Sequence, residues 1–200
     1  MTKATSNPVA PASAGSLPLP VWLLDVDGVL NAKRPGWGGP PISRTAHVGR
    51  GSFRMRFAVP MLARLCRLHA QDRVDIRWAT TWADDIEVIE RIMKLPAWPT
   101  AFTVTVTAAD LTTRRMTRAE CAAAKYDAAL RVLEDEGRPL IWTDDDAIPA
   151  ADTAGFARLT ATGVPLHAVR PKENRGLQPA DLDAIEEFVS ANGHPPALHP

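Results

Sequence analysis

A short apolar run that leads directly into two closely spaced carboxylates constrains the fold of this 200-residue chain more than any other feature. The segment reads Val-Trp-Leu-Leu-Asp-Val-Asp-Gly over residues 21–28. An apolar run of this length is typical of a strand that is covered on both faces of a parallel sheet. Asp25 and Asp27 follow that strand, and carboxylates in such a place are costly without a compensating cation. The segment therefore predicts a core strand that ends in a cation-binding polar site.

Patterns typical of strands and of helices alternate along the rest of the chain. Besides 21–24, the predicted core strands are 74–78, 102–107, 139–142 and 164–169. The predicted helices begin at Pro60, span 86–93, begin at a capping box of Thr117 and Glu120, include Phe156 and Leu159, and span 179–189. This alternation predicts an α/β protein with a parallel sheet and helices on both faces.

Composition divides the chain into one domain with an extension at each end. Residues 1–20 are rich in Ala, Pro, Ser and Thr and predict a disordered leader. Residues 192–200 predict a flexible tail. The predicted domain, 21–191, contains a Gly- and Pro-rich insert at 31–59, and the remaining spacings leave no room for a large cap domain.

The 31–59 insert is predicted to form a basic β-hairpin. Two alternating segments, 45–48 and 52–59, flank a Gly-Arg-Gly turn. Residues 31–60 contain six Lys or Arg residues and no Asp or Glu. We therefore expect a positively charged flap to be the only cover over an otherwise open polar site.

Whole-chain composition limits the classes of function. Lys and Arg together number 23, as do Asp and Glu, so strong attraction of the whole molecule to nucleic acid is not expected. No apolar run reaches the length of a membrane span, and the first residues lack a secretory signal pattern. Cys66 and Cys121 lie in helical patterns and are predicted to be free thiols. These features predict a cytoplasmic protein of undetermined oligomeric state.

Polar clusters follow three of the predicted strands directly. Asp25 and Asp27 follow the first strand, Thr80 and Thr81 follow the second, and three aspartates at 144–146 follow the fourth. Parallel sheets bind ligands at the carboxyl ends of their strands, so these clusters are predicted to converge on one site. Adjacent acids repel each other and favour a nearby cation.

These residue types suit metal-assisted phosphoryl transfer. Asp25 is the candidate nucleophile, with Mg²⁺ bridging it to a phosphate and removing the repulsion between the two anions. Asp27 is the candidate acid and base: it would protonate the leaving oxygen and then deprotonate the water that hydrolyses an aspartyl-phosphate. Asp144 is the first candidate as metal ligand. Asp145 would act through a water or by supporting the ligands, and Asp146 would cap the following segment. Ordinary acidic turns are the alternative.

Two roles in phosphate binding, a threonine donor and a lysine cation, each have two candidate residues. Thr80 or Thr81 would bind a phosphoryl oxygen through its hydroxyl and a backbone N–H, although a threonine at a strand end is also a common cap. Lys125, in the helix before the fourth strand, would neutralise the phosphate and Asp25 together. Lys172, in the loop after the fifth strand, is the alternative.

In this order, the segments Asp25-Val-Asp-Gly-Val, Thr80, Lys125 and Asp144-Asp145 resemble the four motifs of the haloacid dehalogenase-like superfamily of phosphotransferases. The resemblance covers roughly residues 21–189 and implies a Rossmann-like sheet with Mg²⁺ as cofactor. It implies side-chain ligation by Asp25 and Asp144 and ligation through the backbone carbonyl of Asp27. Since the family's phosphatases use an acid and base at the position of Asp27, it implies a phosphoric monoester hydrolase. The family lysine usually lies near a helix start, which would put the start of this helix near Ala122 if Lys125 is that lysine.

An open site of this kind suits large substrates. His47, Arg50, Arg54 and Arg56 of the insert are candidates for phosphate binding, and Trp37 is a candidate for stacking on a base. The Trp-Ala-Thr-Thr-Trp segment at 78–82 and the Trp-Thr-Asp-Asp segment at 142–145 resemble phosphatase-like domains of bacterial RNA-repair proteins. The expected substrate is therefore a phosphorylated small molecule or a nucleic-acid end.

Three other interpretations stay open on sequence grounds. In the first interpretation, the arginine-rich hairpin is only a solvated surface without a binding role. In the second, the chain is a non-catalytic module that binds nucleic acid or protein and carries a decayed site. The third is a phosphotransferase that passes phosphate to an acceptor other than water.

Overall fold

The computed structural model describes residues 18–107 and 112–193, which contain eight strands and five α-helices. The strands are β1 (Val21–Leu24), β2 (Ile42–Val48), β3 (Gly51–Phe57), β4 (Asp75–Trp78), β5 (Thr105–Thr107), β6 (Thr113–Arg115), β7 (Leu140–Thr143) and β8 (Leu166–Val169). The helices are α1 (Val59–Ala70), α2 (Ile86–Met93), α3 (Arg118–Leu130), α4 (Ala154–Ala161) and α5 (Pro179–Asn192). A short 3₁₀ turn (Ala83–Asp85) precedes α2, and a π-helical turn (Arg131–Asp135) extends α3.

Four of the strands form a parallel sheet in the order β4-β1-β7-β8. Strand β1 lies between β4 and β7, so the chain adds one strand on each side of β1 before it continues to β8. Such a switch in direction leaves a crevice at the carboxyl ends of the central strands. The predicted α/β fold, with a Rossmann-like parallel sheet and no large cap domain in the described residues, is confirmed.

The residues of β1 alternate between two hydrophobic cores. Trp22 and Leu24 pack with the apolar faces of α1, α2 and α5. Val21 and Leu23 point to the opposite face and pack with α3 and α4. All four side chains are fully buried, which explains why β1 is apolar at every position.

The predicted hairpin in the insert is present as β2 and β3, with a tighter turn, a longer first strand, and a second strand that ends two residues earlier than predicted because Val59 begins α1. Val48 pairs with Gly51, so the turn has two residues, and the pairing continues to Ile42 and Phe57. Gly51 has a φ of +136°, a conformation that side chains other than glycine rarely adopt. The hairpin is fixed to the domain because Ala46 and Met55 are fully buried in the same core as Trp22.

The predicted strand at 102–107 is not part of the main sheet. Only its last three residues, β5, are extended, and they pair antiparallel with β6 in a separate two-stranded ribbon. Val104 is buried against Ala83 and Cys121 in a small third core. The alternation of apolar residues therefore reflects burial against α3, which sequence periodicity cannot distinguish from burial in the sheet.

The ordered domain extends beyond both of its predicted ends. The backbone carbonyl of Leu19 accepts a hydrogen bond from Arg138 Nε at 2.8 Å, and that of Pro20 accepts one from Asp75 N at 2.9 Å. Helix α5 continues to Asn192, inside the predicted tail. The rest of the predicted leader and tail lies outside the described residues. Within the described ranges, no helix has both the length and the apolar character needed to cross a membrane.

Candidate active site

The register of the central strands places Asp25 and Asp144 side by side. Leu24 pairs with Thr143 on one side and with Trp78 on the other, so the residues that follow the three strands are level. Asp25 N donates to the carbonyl of Thr143 at 3.1 Å. Carboxylate oxygens of Asp25 and of the aspartates at 144–146 all lie within 4.8 Å of one another. We call these four residues the acidic cluster.

The ammonium of Lys125 bridges the two most buried acids of the cluster. Lys125 Nζ lies 2.5 Å from Asp25 Oδ2 and 2.7 Å from Asp144 Oδ2. The exposed fractions of Asp25, Lys125 and Asp144 are 5%, 3% and 0%. Water therefore screens these charges poorly, and removal of any one of the three would leave a buried charge unbalanced.

Lys125 reaches this place from the interior of α3 and not from its first turn. The helix begins at Arg118 behind a complete capping box of Thr117 and Glu120, as the sequence predicted. The expected later start near Ala122 is wrong. Lys172, the alternative lysine, is exposed in the loop after β8. Of the two candidates, Lys125 is therefore the one that contacts the acidic cluster.

Burial and mutual repulsion make the acids of the cluster harder to ionise. Burial, followed by repulsion from Asp144, raises the pKa of Asp25 to about 7, although Lys125 and a hydrogen bond with Thr80 oppose this shift. Burial also raises the pKa of Asp144. Burial opposes the charge of Lys125, but the two acids outweigh it and raise the pKa of Lys125. Lys125 is therefore held in its charged form. Its single positive charge does not offset the effects of burial and mutual repulsion on Asp25 and Asp144.

The acidic cluster has the donor set and the spare charge that suit a divalent cation. Two cations contact its four carboxylates: Lys125, and Arg118, which lies 2.6 Å from Asp146 Oδ2. Asp144 Oδ1 accepts hydrogen bonds from the backbone N–H groups of Asp146 and Ala147. Asp144 Oδ2 is buried, and Lys125 Nζ, at 2.7 Å, is the partner found for it among the described residues. Hard oxygen ligands of this kind bind Mg²⁺ or Ca²⁺.

Asp146 was predicted to converge on the site with its neighbours but not to be a metal ligand. The sequence predicted that it caps the following segment. Its backbone N–H does bind Asp144 Oδ1 at 3.0 Å, while its own carboxylate joins the possible metal ligands and pairs with Arg118. Three adjacent acids cannot be assigned from sequence, because the direction of each side chain depends on the turn that holds it.

The carboxylate of Asp145 lies directly against Gly28. A Cβ atom at position 28 would come within 2.2 Å of Asp145 Cγ, and Gly28 has a φ of +70°. Glycine is therefore required there both by the backbone and by the space that Asp145 occupies. Burial, with repulsion from Asp146 and Asp144, raises the pKa of Asp145 to about 6.

Asp27 lies at the edge of the site, where its carboxylate is exposed and held by two donors. Asn31 Nδ2 donates to Asp27 Oδ1 at 2.7 Å, and Trp82 Nε1 donates to Asp27 Oδ2 at 2.8 Å. Asn31 Oδ1 in turn accepts from Arg56 N of the hairpin at 2.8 Å. Neither Asn31 nor Trp82 was predicted as a positioning residue, although Trp82 belongs to a sequence segment that was singled out.

The two candidate threonines differ in their surroundings. Thr80 is fully buried, its hydroxyl accepts from Trp82 N at 3.4 Å, and its side chain lowers the pKa of the neighbouring Asp25. Thr81 is half-buried, and its carbonyl accepts from Arg115 Nη2 at 2.5 Å. Thr80 therefore contacts the candidate nucleophile, whereas the contact found for Thr81 is made by its backbone.

Arg50, predicted to bind phosphate, is exposed at the tip of the hairpin and is engaged by three other side chains of the protein. Its guanidinium lies 4.2 Å from the ring centre of Trp82 and 4.9 Å from that of Phe53. Arg50 Nε also forms an ion pair with Asp85 Oδ2 at 3.2 Å. The tip of the hairpin is thereby tied to the residue that holds Asp27, and Arg50 acts there as a structural link.

The other substrate-binding candidates of the insert separate into two groups. His47 lies near the tip, where Nδ1 is 2.8 Å from Ser52 Oγ. Trp37 donates its indole N–H to the carbonyl of Leu177 at 2.8 Å and packs against the core. Arg54 and Arg56 line a cavity of about 620 Å³ together with Asp27 and Gly28.

Comparisons of the chain with protein-family models, with curated proteins and with solved structures give no match.

Proposed function

We propose that this protein is a Mg²⁺-dependent phosphomonoesterase of the haloacid dehalogenase type, which works through an aspartyl-phosphate on Asp25. The observation that carries the proposal is the bridge from Lys125 to both Asp25 and Asp144 inside a cluster of four carboxylates. A buried lysine between two acids and next to spare oxygen ligands suits a trianionic transition state, in which phosphoryl oxygens need positive charge from several sides.

In the first step, a carboxylate oxygen of Asp25 attacks phosphorus, and the bond from phosphorus to the ester oxygen breaks. Asp27, protonated at this stage, gives its proton to the leaving oxygen. Thr80 and Lys125 contact Asp25, so they keep the nucleophile in place and offset its charge as it approaches the phosphate. A bound Mg²⁺ would supply Lewis-acid neutralisation of the phosphoryl oxygens.

In the second step, water attacks the phosphorus of the aspartyl-phosphate, and the bond between phosphorus and Asp25 breaks. Asp27, now ionised, takes the proton of that water, and inorganic phosphate leaves. The exposed position of Asp27 gives it access to the water and to the leaving group. Its two donors, Asn31 and Trp82, fix both carboxylate oxygens and leave the remaining lone pairs available.

Phosphate release from p-nitrophenyl phosphate, with and without Mg²⁺, tests this proposal. We expect Mg²⁺-dependent turnover that is abolished in Asp25→Asn and retained in Asp127→Asn, which removes an exposed acid of α3 outside the cluster. Mass spectrometry of the acid-quenched wild-type enzyme should show a phosphorylated Asp25 peptide. Equal turnover by the wild type and Asp25→Asn would overturn the assignment of the nucleophile.

Two outcomes of the same assay would favour the other interpretations. Absence of turnover, together with unchanged ligand binding in Asp25→Asn, would favour a non-catalytic binding module. Transfer of phosphate to added alcohols or nucleosides in place of water would favour a phosphotransferase. The substrate we propose is a phosphorylated small molecule or nucleic-acid end, in the cytoplasm, where a reducing environment suits the unbonded Cys66 and Cys121.

A further inference from the structure

The cavity beside Asp27 is lined by more cations than acids. Lys33, Arg54 and Arg56 line it, and the two acids in its wall are Asp27 itself and Glu173. Its volume of about 620 Å³ exceeds what a phosphoryl group needs and is of the size of sites for whole metabolites. Part of a ligand other than the reacting phosphoryl group can therefore occupy it.

The three cations of this cavity lack the acidic partners that half of the protein's arginines have. In the described part of the chain, no carboxylate lies within 4 Å of the charged groups of Lys33, Arg54 or Arg56. The guanidinium of Arg56 contacts the backbone carbonyl of Lys33 at 3.4 Å. By contrast, Arg50 on the same hairpin is paired with Asp85. The lining thus carries one more cation than its two acids can neutralise, a formal excess of one positive charge.

The cavity lies next to the acidic cluster, where it could hold the leaving group of a substrate that reacts at Asp25. Asp27 and Gly28 both line it, and the carboxylate of Asp145, a member of the acidic cluster, lies against Gly28. In a phosphoester that reacts at Asp25, the ester oxygen would lie beside Asp27, which protonates that oxygen. The leaving group attached to the oxygen would extend into the cavity. The remainder of the substrate would lie between Lys33 and the two arginines.

We infer that this cavity is a subsite for a second phosphate, so that the preferred substrates carry a phosphate in their leaving group. The inference rests on the proposed function. Guanidinium groups bind phosphate oxygens in pairs of parallel hydrogen bonds, and here two of them face one cavity. A neighbouring cavity of about 560 Å³ shares Asn174 with the first and is lined by Arg170, Lys172 and Arg175, so the cationic surface continues away from Asp27.

A matched pair of substrates tests the subsite: adenosine 5′-monophosphate and adenosine 3′,5′-bisphosphate, which differ by one phosphate. We expect kcat/KM to be about tenfold or more higher for the bisphosphate at low salt, and this preference to fall with ionic strength. The double variant Arg54→Gln/Arg56→Gln should reduce the ratio of the two kcat/KM values by about tenfold. Arg44→Gln, which removes an exposed charge of the same hairpin outside the cavity, should leave the ratio unchanged.

The outcomes separate failure of the subsite from failure of the proposed function. Hydrolysis of p-nitrophenyl phosphate with equal kcat/KM for the two adenosine substrates would overturn the subsite alone. Loss of the preference in Arg44→Gln to the same degree as in the double variant would also overturn it, because the effect would then be one of general charge. No hydrolysis of any of the three substrates would overturn the proposed function.

A 5′-phosphorylated dinucleotide tests whether the second phosphate comes from a nucleic acid or from a small molecule. In the dinucleotide the second phosphate is the diester that joins the two nucleotides. A preference for the dinucleotide over the monophosphate that depends on Arg54 and Arg56 would support the subsite and assign it to nucleic-acid ends. A preference confined to the bisphosphate would support the subsite and assign it to small molecules.

Discussion

The indole N–H of Trp82 donates a hydrogen bond to the carboxylate of Asp27, across 55 positions of sequence, at a distance of 2.8 Å. Trp82 is almost fully buried, and Arg50 from the tip of the hairpin covers its ring. The candidate acid and base is therefore oriented by a side chain that the core holds fixed.

Trp82→Phe should lower kcat far more than it raises KM, because it leaves Asp27 in place but removes one of its two orienting donors. We expect a loss of about tenfold in kcat, the value of one hydrogen bond to a charged group. Steady-state kinetics with p-nitrophenyl phosphate would measure both parameters.

Trp98→Phe is the matched control for this variant. Trp98 is also buried, but its indole N–H has no hydrogen-bond partner among the described residues. Both variants should lose roughly 1–3 kcal/mol of unfolding free energy from the smaller ring. If Trp98→Phe lowers kcat as much as Trp82→Phe does, the contact with Asp27 has no special role.

Lys125→Met should destabilise the protein by roughly 3–5 kcal/mol at neutral pH without divalent cations, because it leaves Asp25 and Asp144 buried without their shared cation. Urea denaturation followed by circular dichroism would measure this change. Lys172→Met replaces the exposed alternative lysine and should change the unfolding free energy by less than about 0.5 kcal/mol. Similar losses in the two variants would contradict the bridging role of Lys125.

Gly28→Ala should weaken metal binding as well as stability, because the added methyl group collides with the carboxylate of Asp145. Gly38→Ala is matched in backbone strain: Gly38 has a φ of +75°, yet nothing lies within 4 Å of the Cβ position. Each variant should lose about 1–2 kcal/mol from the positive φ alone. Isothermal titration with Mg²⁺ should show reduced affinity in Gly28→Ala and wild-type affinity in Gly38→Ala. Equal affinities would remove Asp145 from the metal site.

The acidic cluster should make stability depend on pH and on divalent cations in a linked way. The pKa of Asp25 is raised from 3.8 to about 7 and that of Asp145 from 3.8 to about 6, so the folded state binds these protons more tightly than the unfolded state. Their contribution to the unfolding free energy is thus fully present below pH 3.8 and is lost as pH rises towards 7.

Denaturation in EDTA and in Mg²⁺ at pH 5 and pH 7.5 would measure this linkage. The stabilisation by Mg²⁺ should be larger at pH 7.5, because the cation binds the ionised carboxylates. Asp25→Asn removes the largest of these titrations, so its unfolding free energy in EDTA should fall less between the two pH values than that of the wild type. A steeper fall in the variant would contradict the raised pKa of Asp25.

Local sequence determined much of this architecture. The run of apolar residues before Asp25 predicted β1 to the residue, and the pair of Thr117 and Glu120 predicted the start of α3. Both features depend on interactions between near neighbours or on simple burial, and such interactions leave a regular pattern in the chain. The order of acids and threonines after successive strands also predicted that the polar groups would meet, since parallel strands end at one edge.

Tertiary structure alone decided the roles of the side chains around that edge. Lys125 lies in the interior of α3, where no capping or dipole rule predicts a functional lysine. It reaches Asp25 because α3 packs against one face of the sheet. Arg50 was predicted to bind substrate but is held by Trp82 and Asp85. A charged side chain takes its role from the partners within a few ångströms of its tip, and only the packing of distant segments brings those partners there.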